Sequence, residues 1–251
     1  MKNGHNLIKQ LNGHSGSEIY LKQFPGGVYY VEKIGNTNRN VERMTLLKQL
    51  GYRVPKIYHT EDNYLMMEYI HGLDTKNYLI HNNVNPLFNF ISETIDSFSD
   101  DSVMKDYTET YHKKLSWIDN YGDMPFTKKE LIKKLPSVLP QSTYHGDFTL
   151  ENILYTDPGF YMIDPVTTEY DSYVFDIAKL RQDLECKWFL RNSEVKLDTK
   201  LEILQSKLKS VYEQYINDNF LILMLLRVVE HCKKGDNNYN FLMKEINRLW
   251  K

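Results

Sequence analysis

The sequence has 251 residues, enough for one large domain or for two lobes that each bury a hydrophobic core. Charged residues make up 25% of the chain and hydrophobic residues 41%, and the net charge of −2 provides no general basic field for nucleic acid or acidic lipid. The two cysteines, Cys186 and Cys232, lack the spacing of a metal or redox site. We therefore expect reduced thiols in a cytoplasmic protein that has no nucleic-acid partner.

Strand patterns dominate the first 70 residues, which begin without the apolar core of a signal peptide. Four segments have the composition and alternation of strands: 18–24, 28–34, 54–59 and 64–70. Residues 41–50 instead carry apolar side chains at helical spacing and are followed by Gly51, a residue typical of helix C-termini. Together with the alternating residues before position 18, these patterns predict five antiparallel strands and one helix in residues 1–70.

A turn rich in glycine and serine precedes the strand at 18–24. Residues 12–17 read N-G-H-S-G-S, and their small side chains would let backbone N–H groups approach a triphosphate. The turn lacks a three-glycine pattern, so a plain surface turn is an equally good interpretation of these residues.

Helical periodicity begins near residue 73. Residues 86–98 have an apolar face, residues 104–118 repeat the helical pattern more loosely, and Thr127 opens a capped short helix. The chain is helical again over 177–251, with a polar loop at 233–239 and a final helix that ends at Trp250. The most apolar run, 220–226, is too short to span a bilayer, so no membrane partner is expected. The predicted fold class is α+β.

Residues 144–165 carry the pattern that bears most on function. His145-Gly146-Asp147 is followed by Asn152, five residues after the aspartate, and by Asp164 twelve residues later. Two short apolar runs between them flank the turn sequence T-D-P-G and predict a hairpin. The hairpin would place Asn152 at its start and Asp164 at its end, beside the loop that carries Asp147. Such a set suits Mg²⁺ binding and proton acceptance in phosphoryl transfer; a surface hairpin with turn-forming side chains is the alternative.

This stretch resembles the catalytic loop and metal-binding aspartate of the protein-kinase-like superfamily. The likeness is to its small-molecule branch: aminoglycoside phosphotransferases, choline kinases and fructosamine-kinase-like proteins. There the loop reads H-G-D-x-x-x-x-N and the metal aspartate lies in an I-D-P or I-D-x-G context, which Gly146 and Ile163-Asp164-Pro165 match. The resemblance covers most of residues 12–178. It implies a bilobal protein-kinase-like fold, with a nucleotide-binding lobe over 1–70 and a catalytic, acceptor-binding lobe over 71–251.

The resemblance assigns a role to each polar residue of the motif. Asp147 would be the catalytic base, which orients the acceptor hydroxyl and takes its proton. Asn152 and Asp164 would hold Mg²⁺. His145 would support the loop by hydrogen bonding, and Asp176 would cap a helix that starts there and steady the catalytic loop.

The resemblance also implies a nucleotide site. Lys33 matches the strand lysine that contacts the α- and β-phosphates, and Glu42 matches the helix glutamate that orients this lysine. Residues 67–72 match the hinge between the lobes, whose backbone groups hydrogen-bond adenine. The donor is ATP, or GTP, since the sequence does not fix which purine a hinge accepts. The implied nucleotide-binding residues are Lys33, Glu42, Ser15, Gly16, Ser17, Met67, Glu68 and Ile70.

The short segment after the metal aspartate favours a small acceptor. Eleven residues separate Asp164 from Asp176, too few for the activation segment with which a protein kinase holds a peptide. Nearby carboxylates and aromatic rings suit a cationic acceptor, such as an aminoglycoside or an amino alcohol like choline. These residues are Glu169, Tyr170, Asp171 and Tyr173, with Asp183 and Glu185 further along. Lys179 and Arg181 weaken the charge argument, and a neutral sugar or a nucleoside fits equally well.

The predicted function is Mg²⁺-dependent transfer of the γ-phosphate of ATP or GTP to a hydroxyl of a small molecule. Two alternatives remain at this stage: a pseudokinase that binds nucleotide as a scaffold or sensor, and a kinase-like protein that transfers AMP to a protein. The sequence leaves the oligomeric state open.

Overall fold

The computed structural model describes residues 6–11 and 16–250, and the chain divides into two units. The first unit comprises Met1–Tyr78 and Glu151–Thr168, and the second comprises Leu79–Leu150 and Glu169–Lys251. The hairpin predicted after Asn152 therefore belongs to the first unit, although it lies in the second half of the sequence. The assignment of nucleotide binding to residues 1–70 and of catalysis to 71–251 remains a prediction.

The secondary structure of the described residues alternates between short strands and helices. The strands are β1 (Asn6–Leu11), β2 (Glu18–Gln23), β3 (Tyr29–Ile34), β4 (Ile57–Glu61), β5 (Tyr64–Glu68), β6 (Leu73–Asp74), β7 (Val103–Asp106), β8 (Val138–Gln141), β9 (Ile153–Thr156) and β10 (Gly159–Met162). The α-helices are α1 (Asn38–Gln49), α2 (Thr75–His81), α3 (Val84–Ser99), α4 (Thr108–Lys114), α5 (Lys128–Lys134), α6 (Tyr173–Cys186), α7 (Asp198–Val211), α8 (Asp218–Val229) and α9 (Asn237–Leu249). Short 3-10 turns occur at Ser116–Asn120, Leu150–Asn152, Trp188–Leu190 and Glu213–Tyr215.

The first unit contains a five-stranded sheet in the order β1-β2-β3-β5-β4, in which every neighbouring pair is antiparallel. This sheet, followed by a mainly helical C-terminal region, confirms the predicted α+β class. β3 lies in the middle, and Lys33 is paired in register with Ile19 on one side and Leu65 on the other. The side chain of Lys33 is buried.

Helix α1 begins at Asn38, three residues before the start predicted from its apolar spacing. Its buried positions are Asn40, Arg43, Met44 and Leu47, which lie on one face at helical spacing. The predicted helix missed the polar first turn, since a buried asparagine does not register in a search for apolar periodicity. The side chain of Asn40 consequently faces inward.

The first unit also contains a small sheet in the order β10-β9-β6. β9 and β10 form the predicted hairpin, in a register that pairs Thr156 with Gly159 and Ile153 with Met162. β6 can approach β9 because residue 72 is glycine: a Cβ there would lie 2.5 Å from the carbonyl oxygen of Tyr155. The hairpin therefore places Asn152 and Asp164 at the same end of its strands.

The second unit is mainly helical. Almost all of α6 is buried, and α8 contributes an apolar run from Phe220 to Leu226 to the core. α5 starts at the predicted capping box, in which the side chains of Thr127 and Glu130 each bond to the backbone of the other residue. No helix within the described ranges is both long and apolar enough to cross a membrane.

Two elements of the second unit differ from the sequence-based expectation. Residues 103–106 form strand β7, paired antiparallel with β8, where a loose helical pattern was expected. Helix α6 begins at Tyr173 and not at Asp176, because Ser172 is the N-cap and accepts a hydrogen bond from the backbone N–H of Val174 at 3.2 Å. Asp176 therefore lies one turn inside the helix and does not cap it.

Candidate active site

In the second unit, the loop that carries the H-G-D motif is held by a carboxylate of α6. Asp176 accepts hydrogen bonds from the backbone N–H groups of His145 at 2.5 Å, Gly146 at 3.0 Å and Phe148 at 3.4 Å. Gly146 has a φ of +89°, in the left-handed region that glycine adopts without strain. These three bonds fix the backbone on both sides of Asp147.

The same face of α6 holds the rest of the loop. Lys179 forms an ion pair with Asp147, with 3.0 Å between Nζ and Oδ1. Asp183 accepts a hydrogen bond of 2.7 Å from the backbone N–H of Leu150. Asp176, Lys179 and Asp183 are three and four residues apart in turn, so they lie on one face of the helix. This polar stripe on a buried helix holds residues 145–150 along their length.

The pKa values of the loop aspartate Asp147 and of Asp176 on α6 are shifted in opposite directions. Burial raises the pKa of Asp176 to about 6, and the backbone N–H groups that it accepts oppose this rise only in part. Burial would also raise the pKa of Asp147, but the charges of Lys179 and Arg227, with a smaller contribution from His145, outweigh it and hold that pKa at about 2. Asp147 is therefore ionised at neutral pH.

Arg227, on α8, is the second cation near Asp147. Its Nη2 atom donates a hydrogen bond of 3.0 Å to the carbonyl oxygen of Gly146. Its guanidinium lies 5.4 Å from the centre of the Tyr170 ring. Arg227 thus ties the loop to α8 and also stabilises the charged form of Asp147.

In the first unit, Lys33 forms an ion pair with Asp164, with 2.6 Å between Nζ and Oδ1. Asn40 donates from Nδ2 to the same oxygen at 2.9 Å and to the carbonyl oxygen of Pro165 at 2.8 Å. The other carboxylate oxygen of Asp164, Oδ2, accepts no hydrogen bond from any residue that the structure describes. One oxygen is therefore held by the protein, and the other is available to a ligand.

The backbone around Asp164 is also constrained. Asp164 has a φ of +54°, which is uncommon for a residue other than glycine and is often found at functional sites. The N–H of Ile163 donates to the carbonyl oxygen of Asn152 at 2.9 Å, and the N–H of Thr167 donates to that of Arg39 at 3.0 Å. The segment that carries Asp164 is thereby joined to the start of the hairpin and to the start of α1.

The predicted contact between Glu42 and Lys33 is not formed. Glu42 is exposed, and within residues 6–11 and 16–250 it makes no ion pair. Because α1 buries Asn40, Glu42 is about 200° further around the helix and faces away. Asn40 occupies the inward position instead, and it contacts Asp164 and not the lysine.

The segment over 67–72 has backbone groups that are not used within the sheet. Met67 and Ile70 are buried. The N–H of Glu68 donates to the carbonyl oxygen of Lys56 at 2.8 Å, so it is already engaged. The N–H and C=O groups of Ile70 form no hydrogen bond with another residue in the described part of the chain. An adenine edge could bind to such groups.

The glycine- and serine-rich residues 12–17 lie between β1 and β2 in the sequence. Ser15 lies outside the described residues. Gly16 has a φ of +74°, and no atom of another described residue lies within 4 Å of where its Cβ would be. Ser17 packs against Gly35, where a Cβ would lie 2.8 Å from the serine Oγ.

The residues predicted to bind a cationic acceptor are engaged within the second unit. Glu169 pairs with Lys113 at 3.0 Å and with Lys114 at 2.9 Å. Asp171 accepts hydrogen bonds from the side chains of Lys105, Tyr107 and Gln141. The lysines lower the pKa of both carboxyls and neutralise their charges.

The remaining residues predicted to bind the acceptor are also buried or bonded to other residues of the second unit. Tyr170 and Tyr173 are buried, and the hydroxyl groups of Tyr173 and Tyr215 lie 2.7 Å apart. Glu185 is paired with Arg181, and Asp183 bonds to the loop as described above. The charge argument for a cationic acceptor therefore loses its basis, because these carboxylates have protein partners.

Sequence reasoning missed three residues of this arrangement: Asn40, Lys179 and Arg227. Asn40 lies in the part of α1 that apolar spacing did not reveal. Lys179 follows Asp176 by three residues, a spacing that could have placed both on one face of α6. Arg227 lies within an apolar run far along the chain from residue 147, and no sequence signal connects it to the loop.

The chain has the fold of small-molecule kinases. It resembles the choline kinase LicA from Streptococcus pneumoniae (TM-score 0.60, 19% identity, covering 97% of this chain and 94% of that one). It also resembles an ethanolamine kinase from Plasmodium vivax (TM-score 0.61, 14% identity, covering 99% and 83%). A third similar structure is an amicoumacin kinase in complex with AMP-PNP and Ca²⁺ (TM-score 0.54, 13% identity, covering 99% and 88%).

No protein-family model matches the sequence, and no curated protein matches it. The similar solved structures nevertheless confirm, at the level of the fold, the resemblance to the aminoglycoside phosphotransferase and choline kinase group. Sequence identities of 13–19% are too low to transfer a substrate.

The residues at the end of the hairpin suit a magnesium ion that is shared with a nucleotide. Within the described residues, no three His, Cys, Asp or Glu side chains form a cluster that could hold a metal by themselves. Mg²⁺ commonly takes one or two protein oxygens and completes its shell with phosphate and water. Asp164, through its Oδ2 atom, and Asn152 are the residues here that could provide ligands of this kind.

Proposed function

We propose that the protein is a Mg²⁺-dependent small-molecule kinase, which transfers the γ-phosphate of ATP to a hydroxyl group. The observation that carries the proposal is the ion pair between Lys33 and Asp164, which joins residues 131 positions apart in sequence. It supports the proposal because a phosphate-binding lysine and a metal-binding aspartate must act on the same triphosphate. The fold, shared with solved small-molecule kinases, supports it independently.

In this proposal the residues of the first unit bind the nucleotide. Lys33 contacts the phosphates, and Asp164 and Asn152 hold the metal ions. When bound, Mg²⁺ neutralises the phosphate charge that develops during transfer. The backbone of Ile70 and the carbonyl group of Glu68 bind the purine edge, beside Met67. Gly16 and Ser17, with Ser15, cover the phosphates from the turn before β2.

In the second unit, Asp147 acts on the acceptor. Its carboxylate, ionised at neutral pH, accepts a hydrogen bond from the acceptor hydroxyl and orients the oxygen toward the γ-phosphorus. The acceptor oxygen forms a bond to phosphorus as the bond to the β,γ-bridging oxygen breaks, ADP leaves, and the hydroxyl proton passes to Asp147. A pKa of about 2 makes Asp147 a weak base, which suits a late proton transfer in a loose transition state.

The acceptor is proposed to be a small molecule, because eleven residues between Asp164 and Asp176 leave little chain with which to bind a peptide. An aminoglycoside, an amino alcohol, a sugar and a nucleoside remain candidates. The pairing of Glu169 and Asp171 with lysines gives a cationic acceptor no preference over a neutral one.

An ADP-release screen with ATP or GTP and Mg²⁺ tests the proposal. The acceptors are neutral sugars, amino sugars, aminoglycosides, choline-like alcohols and nucleosides. Asp147→Asn should abolish acceptor-dependent ADP release and keep nucleotide affinity nearly unchanged, since its role exists only in the transition state. Asp164→Ala, or removal of Mg²⁺ by a chelator, should abolish Mg²⁺-dependent nucleotide binding.

Three outcomes would contradict this proposal, the first in the assignment of the base and the other two in the function itself. Wild-type turnover in Asp147→Asn would show that another group is the base. Nucleotide binding without ADP release for any acceptor would favour a pseudokinase. Mass spectrometry of protein incubated with ATP would reveal AMP transfer by an adduct on the protein itself or on a protein partner.

A further inference from the structure

Lys179 is the most deeply buried cation in contact with the loop of Asp147. It is 4% exposed, and its ammonium lies 3.0 Å from the Asp147 carboxylate and 3.4 Å from Oε1 of Gln182. Placing a lysine in the interior of a protein is costly. An apolar residue of similar length would satisfy the packing of a buried helix equally well, so packing alone does not explain this lysine.

The loop does not need Lys179 for its backbone conformation. Asp176 already accepts hydrogen bonds from the backbone N–H groups of His145, Gly146 and Phe148. Asp183 accepts one from the backbone N–H of Leu150. The contact of Lys179 is with the side chain of residue 147 and with no backbone group of the loop. From its position on α6, Lys179 therefore contacts Asp147, the side chain of the loop that the proposed reaction uses.

We infer that Lys179 is a positioning residue for phosphoryl transfer, which fixes the direction of the Asp147 carboxylate and keeps it charged until the acceptor proton arrives. This inference rests on the proposed function. The ion pair between Lys179 Nζ and Asp147 Oδ1 restricts rotation of the carboxylate and so fixes its orientation toward the acceptor hydroxyl. Such partners of a reacting group commonly contribute about 10- to 100-fold to activity.

Two other charged groups in the second unit lie near Asp147, and they determine how readily it ionises when the lysine is removed. Arg227 from α8 and His145 from the loop itself both favour the charged carboxylate. Arg227 is anchored by the carbonyl oxygen of Gly146, so it stays in place without Lys179. A variant without the lysine should therefore keep an ionisable Asp147 that is less well oriented and is protonated at higher pH than in the wild type.

The variants Lys179→Met and Lys179→Arg test this role, with Lys128→Met as the matched control. Lys128 also forms an ion pair in the second unit, at 2.7 Å with Asp119, but it is partly exposed and lies outside the loop of Asp147. With any acceptor that supports wild-type ADP release, Lys179→Met should lower kcat by about 10- to 100-fold and leave KM for ATP within about twofold. The acidic limb of the kcat profile should move to higher pH. Lys179→Arg should recover a large part of kcat, and Lys128→Met should behave as the wild type.

A double-mutant cycle separates positioning from loss of structure. Because Lys179 acts through Asp147, Lys179→Met should have almost no further effect on the residual rate of Asp147→Asn. Independent effects in this cycle would overturn the inference, as would wild-type kcat in Lys179→Met. An equal loss of kcat at every pH, with no recovery by arginine, would also overturn it. If Lys179→Met does not fold, Lys179→Arg and Lys179→Gln provide the same comparison. Absence of ADP release by the wild type would remove the proposed function, and the inference with it.

Discussion

Lys33 and Asp164 share an ion pair in which the lysine is 2% exposed and the aspartate 37% exposed. The lysine is fixed within the central strand of the sheet, whereas the aspartate lies at the end of a hairpin and keeps one carboxylate oxygen available. Asn40 from α1 donates to the same aspartate oxygen as the lysine. The strand and the helix therefore both orient Asp164, through a single oxygen atom.

Replacement of Lys33 should affect nucleotide use more than folding. Methionine can occupy the buried position of Lys33, but it removes the positive charge beside the triphosphate and one of two donors to Asp164. We expect kcat/KM for ATP to fall by about 100-fold or more in Lys33→Met. Steady-state kinetics with varied ATP would measure this effect, with the exposed Lys48→Met on α1 as control. An unchanged kcat/KM would show that Lys33 does not contact the nucleotide.

Asn40 and Glu42 lie on the same helix, and we expect substitution of Asn40 to impair the protein and substitution of Glu42 to have no effect. Asn40→Ala leaves the carbonyl oxygen of Pro165 without its donor and loosens Asp164, so unfolding should become easier by about 1–3 kcal/mol. The affinity for Mg²⁺-nucleotide should fall by about 10-fold. Glu42→Gln should change neither quantity, because the side chain of Glu42 is exposed. Urea unfolding and fluorescence titration with a nucleotide analogue would measure both variants; a strong effect of Glu42→Gln would restore the lysine–glutamate pairing that the sequence suggested.

The sequence predicted those residues that belong to a recognisable motif or to a regular spacing of apolar side chains. The spacing of His145, Asp147, Asn152 and Asp164 identified the loop and the hairpin, because turns and strands between them are encoded locally. The start of α1 was predicted three residues too late, because its first turn is polar. Contacts such as that of Lys105 with Asp171 join residues 66 positions apart, and nothing in the local sequence encodes that pairing.

Helix α6 shows why a buried helix is difficult to interpret from sequence. Its residues are buried on all sides, so apolar spacing marks no single inner face. Lys179 and Asp183 then resemble solvent-facing charges, and the sequence suggested that Asp183 binds the acceptor. Only the three-dimensional contacts show that both hold the loop over 145–150.

The carboxylates once expected to bind an acceptor should prove structural. Glu169→Gln should leave the KM of the acceptor within about twofold, because two lysines already neutralise this exposed carboxylate. Asp171→Asn should instead lower the free energy of unfolding by about 2–4 kcal/mol, since it removes the charge that neutralises Lys105 and places an amide donor where the carboxylate accepted hydrogen bonds. Acceptor kinetics and urea unfolding of both variants would test this division. A large rise in acceptor KM for Glu169→Gln alone would place this residue at the acceptor after all.

The raised pKa of Asp176 predicts a pH dependence of folding. Since burial raises its pKa from 3.8 to about 6, the folded protein keeps a proton on Asp176 that the unfolded chain has released between these values. The folded state then binds more protons, so this residue lowers stability as pH rises through the window. The contribution lost between pH 4.5 and pH 7 is about 2 kcal/mol, and above the folded pKa it levels off.

Asp176→Asn is the variant that isolates this contribution, because the amide cannot titrate and keeps one oxygen as an acceptor for the loop. Free energies of unfolding in urea would be measured for both proteins at several pH values from 4.5 to 7.5. All other titrating groups, including Asp147 with its lowered pKa, cancel in the difference. We expect wild-type stability to decline relative to the variant by about 2 kcal/mol as pH rises to 7. A difference that stays constant over this range would mean that Asp176 is already ionised at the lower pH and that the backbone N–H groups of the loop fully compensate its burial.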